Sequence, residues 1–206
     1  MKQKALVELL NGRFHELPNN SMYFRTKNNI VELIGTRETV NKHSIPPELV
    51  KVNHWFSDIW IYIKITIKEY REKNNKGYPF TSICFFQDIE GELEPLFRAE
   101  WDSFVPVEGY NHPQPHWHIS NMKDSLLSFN NLTVENDSSE AGDYAALLSD
   151  HVNDFANIYA MHFAMAGNWY SDNNMITECT SEEQFIDWIW NLLSHVRKEI
   201  EYVKKM

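Results

Sequence analysis

Ile59-Trp60-Ile61-Tyr62-Ile63-Lys64-Ile65-Thr66-Ile67-Lys68 is the stretch on which the fold turns. Its isoleucines fall on every second position, so in an extended chain they share one face, while Trp60, Tyr62, Lys64, Thr66 and Lys68 share the other. β-Branched side chains suit a pleated surface, and this alternation outweighs the weaker helical spacing in the same residues. A whole face of isoleucine requires a covering layer. Downstream, Phe80 to Phe86, Phe97 to Asp102 and His116 to Ile119 read as further strands, separated by polar turns at 70–78 and 88–92 and by a loop containing Pro106, Gly109 and Pro113. Successive strands joined by turns form an antiparallel meander.

Upstream, Tyr23-Phe24-Arg25 and Ile30 to Ile34 flank the polar turn Lys27-Asn28-Asn29 and predict a hairpin. Ala5, Leu6, Leu9, Leu10 and Phe14 recur at helical spacing over residues 3–17, and Pro46-Pro47-Glu48 reads as the start of a short helix to about His54. Residues 122–143 read as a polar loop. Tyr144 to Ala166 carries a helical stripe stopped by Gly167-Asn168. Thr180-Ser181-Glu182-Glu183-Gln184 has the form of a capping box, with Ser181 as N-cap and Gln184 at N3, opening a helix with Phe185, Ile189, Leu192, Leu193, Val196, Ile200 and Val203 on its core side. The expectation is one α+β domain over residues 1–206: an antiparallel meander of roughly four to six strands, covered by an N-terminal helix and two long C-terminal helices.

The chemistry concentrates in two of the predicted strands. In His112-Pro113-Gln114-Pro115-His116-Trp117-His118-Ile119, alternation points His116 and His118 one way and Trp117 the other; in Phe97 to Asp102 it places Arg98, Glu100 and Asp102 on one face. Sequential strands are usually neighbours, which brings the two sets together. Neutral imidazoles with a third ligand are the pattern of a catalytic metal site, so His112, His116 and His118 are the expected ligands of a divalent ion such as Zn or Mn, with Glu100 or Asp102 able to complete the set. Arg98, Glu100, Asp102 and His116 are the expected catalytic residues, in a metal-assisted or histidine-based acid/base reaction; Arg98 would steady an anionic transition state. A solvated strand pair with cross-strand ion pairs would present the same residues. His162 reads as a core histidine, and nothing in the sequence singles out His15, His43, His54, His151 or His195.

Two distant cysteines, Cys84 and Cys179, argue against a disulfide framework and exclude a thiolate zinc finger. No apolar run approaches the roughly 20 residues of a membrane span and the N-terminus is a poor signal peptide, so the expectation is a cytoplasmic protein. The net charge of −10 divides unequally: residues 1–76 hold 13 Lys/Arg and 8 Asp/Glu, while residues 77–206 hold 6 and 21. Such a surface disfavours a large nucleic-acid interface driven by charge alone and suits a charged protein partner. The exposed-looking Trp60/Tyr62 face could stack single-stranded nucleic acid, or be covered by helices or a partner.

F-R-x-E-x-D at Phe97–Asp102, H-P-x-x-H-x-H-I at His112–Ile119 and T-S-x-x-Q-F-I-x-W-I at Thr180–Ile189 resemble blocks of an uncharacterised bacterial domain family associated with toxin and antiphage-defence neighbourhoods. The resemblance implies that the arginine, carboxylate and histidine set forms a site and that a protein partner exists. The functional expectation is a phosphodiesterase or nuclease effector acting on RNA or DNA, with a non-catalytic adaptor of a defence complex as the alternative.

Overall fold

The structure is a computed structural model; it describes residues 3–15, 22–44, 46–69, 77–102, 114–119, 163–164, 179 and 181–203. The isoleucine stretch is strand β5 (Ile59–Glu69), as its alternation predicts. Strand β6 (Gly77–Ile89) runs antiparallel along its whole length, from Ile59↔Gln87 to Glu69↔Gly77. Strands β7 (Glu92–Asp102), β8 (His116–Ile119) and β9 (Phe163–Ala164) follow in order, each antiparallel to the last. On its other edge β5 is shared: β2 (Ile30–Leu33) pairs with residues 64–66, and β4 (Glu48–Phe56) with residues 59–61. Strand β1 (Phe24–Lys27) pairs with β2, and β3 (Arg37–Asn41) with β4. The β1–β2 turn is made by Asn28 (φ 48°) and Asn29 (φ 62°), the left-handed pair that a two-residue hairpin requires.

The meander and the first hairpin match the sequence, but the described residues hold nine strands rather than four to six. The helix expected from Pro46 to His54 is instead β4. Val50, Val52 and Trp55 turn into apolar clusters while Leu49 and Lys51 face out, so a short period-two pattern prevails over the signal of proline in a helix's first turn. Phe163 and Ala164, read as the end of a helix, form β9 because their backbone pairs with Trp117 and His116. The rest of that helix and the 122–143 loop lie outside the described residues. Helix α1 (Gln3–Phe14) and the 22-residue helix α2 (Glu182–Val203) are present, the latter capped as its sequence predicts, with the Gln184 amide donating to Ser181 Oγ at 3.1 Å. Among the described residues no helix is long and apolar enough to cross a membrane.

The isoleucine face is covered by the two helices. Ile59, Ile61, Ile63 and Ile65, with Ile83 and Phe85 of β6 and Ala99 and Trp101 of β7, are buried against Leu6, Leu10 and Phe14 of α1 and Phe185, Ile189, Leu193 and Val196 of α2. The opposite face is divided. Over its β5 end the β3–β4 ribbon folds back, burying Val50 and Val52 against Tyr62, Cys84 and Phe86, with Trp60 packed on the cluster. This ribbon is what covers the aromatic face of β5. Arg37 ties it down, reaching Asp88 and the Gly91 carbonyl and lying over the Trp60 ring. The β7–β8 end of the same face carries the charged side chains.

The ribbon leaves the sheet through Ile34-Gly35-Thr36, where a Cβ on Gly35 would stand 2.2 Å from the Lys51 carbonyl oxygen and 2.6 Å from the Val52 nitrogen. Both are backbone atoms of a paired strand and cannot swing aside as a side chain would. Gly35→Ala is expected to destabilise the protein by about 2–3 kcal/mol, the upper part of the range for overpacking. Urea titration checks this, and an unchanged midpoint would show that the crossing has room for a methyl group.

Candidate metal centre

Strand β8 is short, but its register is fixed: Arg98↔His118, Ala99↔Trp117 and Glu100↔His116. Trp117 joins the apolar core, its ring 5.3 Å from that of Phe97, and this commits His116 and His118 to the opposite face. Directly across the ladder, Glu100 shares that face. Its Oε2 lies 2.8 Å from His118 Nε2 and 3.5 Å from His116 Nε2, and the two ring nitrogens are 2.8 Å apart. Glu100 and His116 are largely buried, with side chains 13% and 2% exposed.

Three electron-rich atoms therefore converge on one point. A carboxylate only accepts, and an imidazole nitrogen carries either a proton or a lone pair, so a proton on His118 Nε2 is shared by everything around it. A divalent cation would use all three lone pairs. At a bond length of about 2.1 Å, neighbouring ligand atoms stand about 3.0 Å apart in an octahedron and about 3.4 Å in a tetrahedron. Separations of 2.8, 2.8 and 3.5 Å span both values. Glu100, His116 and His118 form such a ligand group, with ligand atoms within 4.8 Å of one another.

The electrostatics suit a cation. Burial alone would raise the Glu100 pKa, but hydrogen bonds from His116 and His118 and the positive charge of Arg98 overcome it and hold the carboxyl well below its ordinary range. Burial lowers the pKa of His118 against the opposing hydrogen bond that its ring makes to Glu100, with Arg98 adding to the downward shift, which favours the neutral ring that a metal needs.

No family model, curated protein or solved structure matches this chain. The reading of the site accordingly rests on its geometry.

Of the residues singled out in the sequence, Glu100, His116 and His118 are brought together and Arg98 lies beside them, its Nε 3.4 Å from Glu100 Oε1. Asp102 stands apart from the triad: its carboxylate pairs with Lys68 at 2.7 Å and its amide donates to Gln114 Oε1. His112 lies outside the described residues, as does His162. Cys84, in register with Arg98 on β6, is a buried thiol with its pKa pushed up to about 12 by burial, and so is not disposed to act as a thiolate.

The residue that the sequence did not single out is His43. The tip of the β3–β4 ribbon carries it to the edge of the triad, where its carbonyl accepts a hydrogen bond from Arg98 Nη1 at 2.5 Å. Burial, then the charges of Arg98 and His118, lower its ring pKa from 6.5 to about 4, with Glu100 opposing. The ring is therefore neutral in the folded protein well below its ordinary pKa. Above pH 6.5 the ring is neutral in both folded and unfolded chains; between there and about 4 only the unfolded chain takes up the proton, so stability falls as pH drops through this window. In metal-free protein His43→Gln is expected to flatten that part of the stability profile, and superimposable profiles would rule out a buried neutral ring.

Proposed function

We propose that the protein holds a divalent transition metal on Glu100, His116 and His118 and uses it to hydrolyse phosphodiesters, with RNA or DNA as the substrate class. The observation that carries this reading is the convergence of the three ligand atoms. Among the described residues the group comprises two histidines and one carboxylate, a set that corresponds to a catalytic rather than a closed structural site, because open positions are left for water and substrate. A bound ion lowers the pKa of its water toward 7 and polarises a phosphoryl oxygen. Zinc and manganese both accept this ligand set. A role as a bacterial toxin or defence effector agrees with the resemblance of the three sequence blocks.

The test is metal analysis of the purified protein, followed by hydrolysis of bis(p-nitrophenyl) phosphate and of an RNA oligonucleotide before and after chelation and metal return. Stoichiometric zinc or manganese, with activity lost on chelation and restored by the ion, is expected. A protein that takes up no divalent metal overturns the proposal. One observation favours a binding role instead: Val40 and Leu49, opposite each other on the ribbon, are 48% and 69% exposed, an apolar pair suited to a protein partner. A binding role without catalysis predicts a Leu49→Asp protein that loses its partner, and no hydrolysis by either form.

A further inference from the structure

We propose that Arg98 is a positioning residue that keeps Glu100 a one-oxygen ligand, and that the tip of the β3–β4 ribbon is its anchor. This rests on the metal reading of the triad. The two oxygens of Glu100 face different partners: Oε2 meets the two histidine nitrogens, and Oε1 meets Arg98 Nε at 3.4 Å. Arg98 is itself largely buried, its side chain 17% exposed. For Glu100 to chelate an ion through both oxygens, Oε1 would have to turn away from this guanidinium and leave a buried charge without its anion.

The guanidinium is held from its far side. Arg98 Nη1 donates to the His43 carbonyl, the His43 amide donates to Asn41 Oδ1 at 3.1 Å, Asn41 Nδ2 donates to Ser44 Oγ at 2.9 Å, and Ser44 Oγ donates to Glu48 Oε1 at 3.1 Å. Glu48 in turn pairs with Lys64 of β5 at 3.2 Å. The chain of bonds runs from the middle of the sheet, through the ribbon tip, to the carboxylate of the triad. Its consequence is chemical: a one-oxygen Glu100 leaves open the coordination position that a second oxygen would fill, and with it the room for both water and substrate. Arg98 bound in this way is occupied with Glu100 and His43 rather than reaching out to a transition state.

Cobalt(II) substitution reads this directly, because the intensity and position of its visible bands follow coordination number. Arg98→Met is expected to bind Co2+ about 10- to 100-fold more weakly than the wild type, the usual consequence of losing an outer-shell partner, and to give a weaker spectrum of higher coordination. Arg98→Lys keeps the charge but loses the fork, and reads the same quantity should Arg98→Met fail to fold. Asn41→Ala, which loosens the anchor without touching Arg98, is expected to shift the spectrum in the same direction by less. A purely structural role for Arg98 would lower the melting temperature and leave the spectrum of the bound ion unchanged. Wild-type affinity and an unchanged spectrum in folded Arg98→Met or Arg98→Lys overturn the inference while the metal reading stands. A wild type that takes up no Co2+ overturns the metal reading, and this inference with it.

Discussion

Under the proposed metal-dependent function, His118→Ala is expected to lose metal binding by well over the roughly 100-fold that separates an intact site from one lacking an outer-shell partner, and to lose the proposed phosphodiester hydrolysis with it. His118 Nε2 is the central atom of the triad, 2.8 Å from both His116 Nε2 and Glu100 Oε2. Without it, the remaining two ligand atoms are 3.5 Å apart and hold an ion by one nitrogen and one oxygen only. A divalent ion held by the full triad would lower the pKa of its water from that of bulk water, near 15.7, toward about 7, and with His118 gone Glu100 and His116 alone would not hold the ion to supply that chemistry. The side chain is 16% exposed and its backbone pairing to β7 is independent of the ring, so the fold should survive. Calorimetric titration with Zn2+ beside a thermal melt of the metal-free protein checks both halves. Stoichiometric binding at wild-type affinity in a folded His118→Ala protein would remove His118 from the ligand set.

Trp101→Ala is expected to cost about 3–5 kcal/mol, the range for truncating a large buried aromatic. Trp101 is 1% exposed and packs against Phe185 and Trp188 of α2, tilted to the first and edge-on to the second, with centroid distances of 6.0 and 5.0 Å. It lies between Glu100 and Asp102, so the same strand that offers Glu100 to the histidines fastens α2 to the sheet through its other face. Against a total stability of roughly 5–15 kcal/mol the loss is a large fraction of the whole, and the variant should unfold at a markedly lower urea concentration with an unchanged m value. A cost under about 1.5 kcal/mol would mean that the cavity closes by movement of α2.

The parts of this architecture that the sequence displays are those set by local periodicity. The alternation around Ile59–Lys68 places β5, the alternation in Phe97–Asp102 and His116–His118 puts Glu100 and the two histidines on one face, and their succession along the chain makes the two strands neighbours. Ser181 and Gln184 mark the start of α2 for the same reason, since a cap is a contact between residues three apart. The β3–β4 ribbon was not legible because Leu49 to Asn53 is too short a pattern to outweigh two prolines before it. Asp102 was in phase with Glu100, but phase does not reveal that Lys68, 34 residues earlier, would take its carboxylate. His43 could not be found at all from its neighbours in sequence, because what brings it to the triad is a hydrogen bond to a residue on another strand.

That bond, from Arg98 to the His43 carbonyl, spans 55 residues, whereas the Glu100–His118 contact spans 18. Closing the longer loop costs about 1 kcal/mol more in chain entropy, and contacts between sequence-distant segments tend to form late. The hairpins of the meander can therefore zip up while the ribbon tip is still undocked. In a refolding experiment the sheet signal should precede the ability to capture an ion at full affinity, with an interval between them set by how quickly residues 41–44 find Arg98.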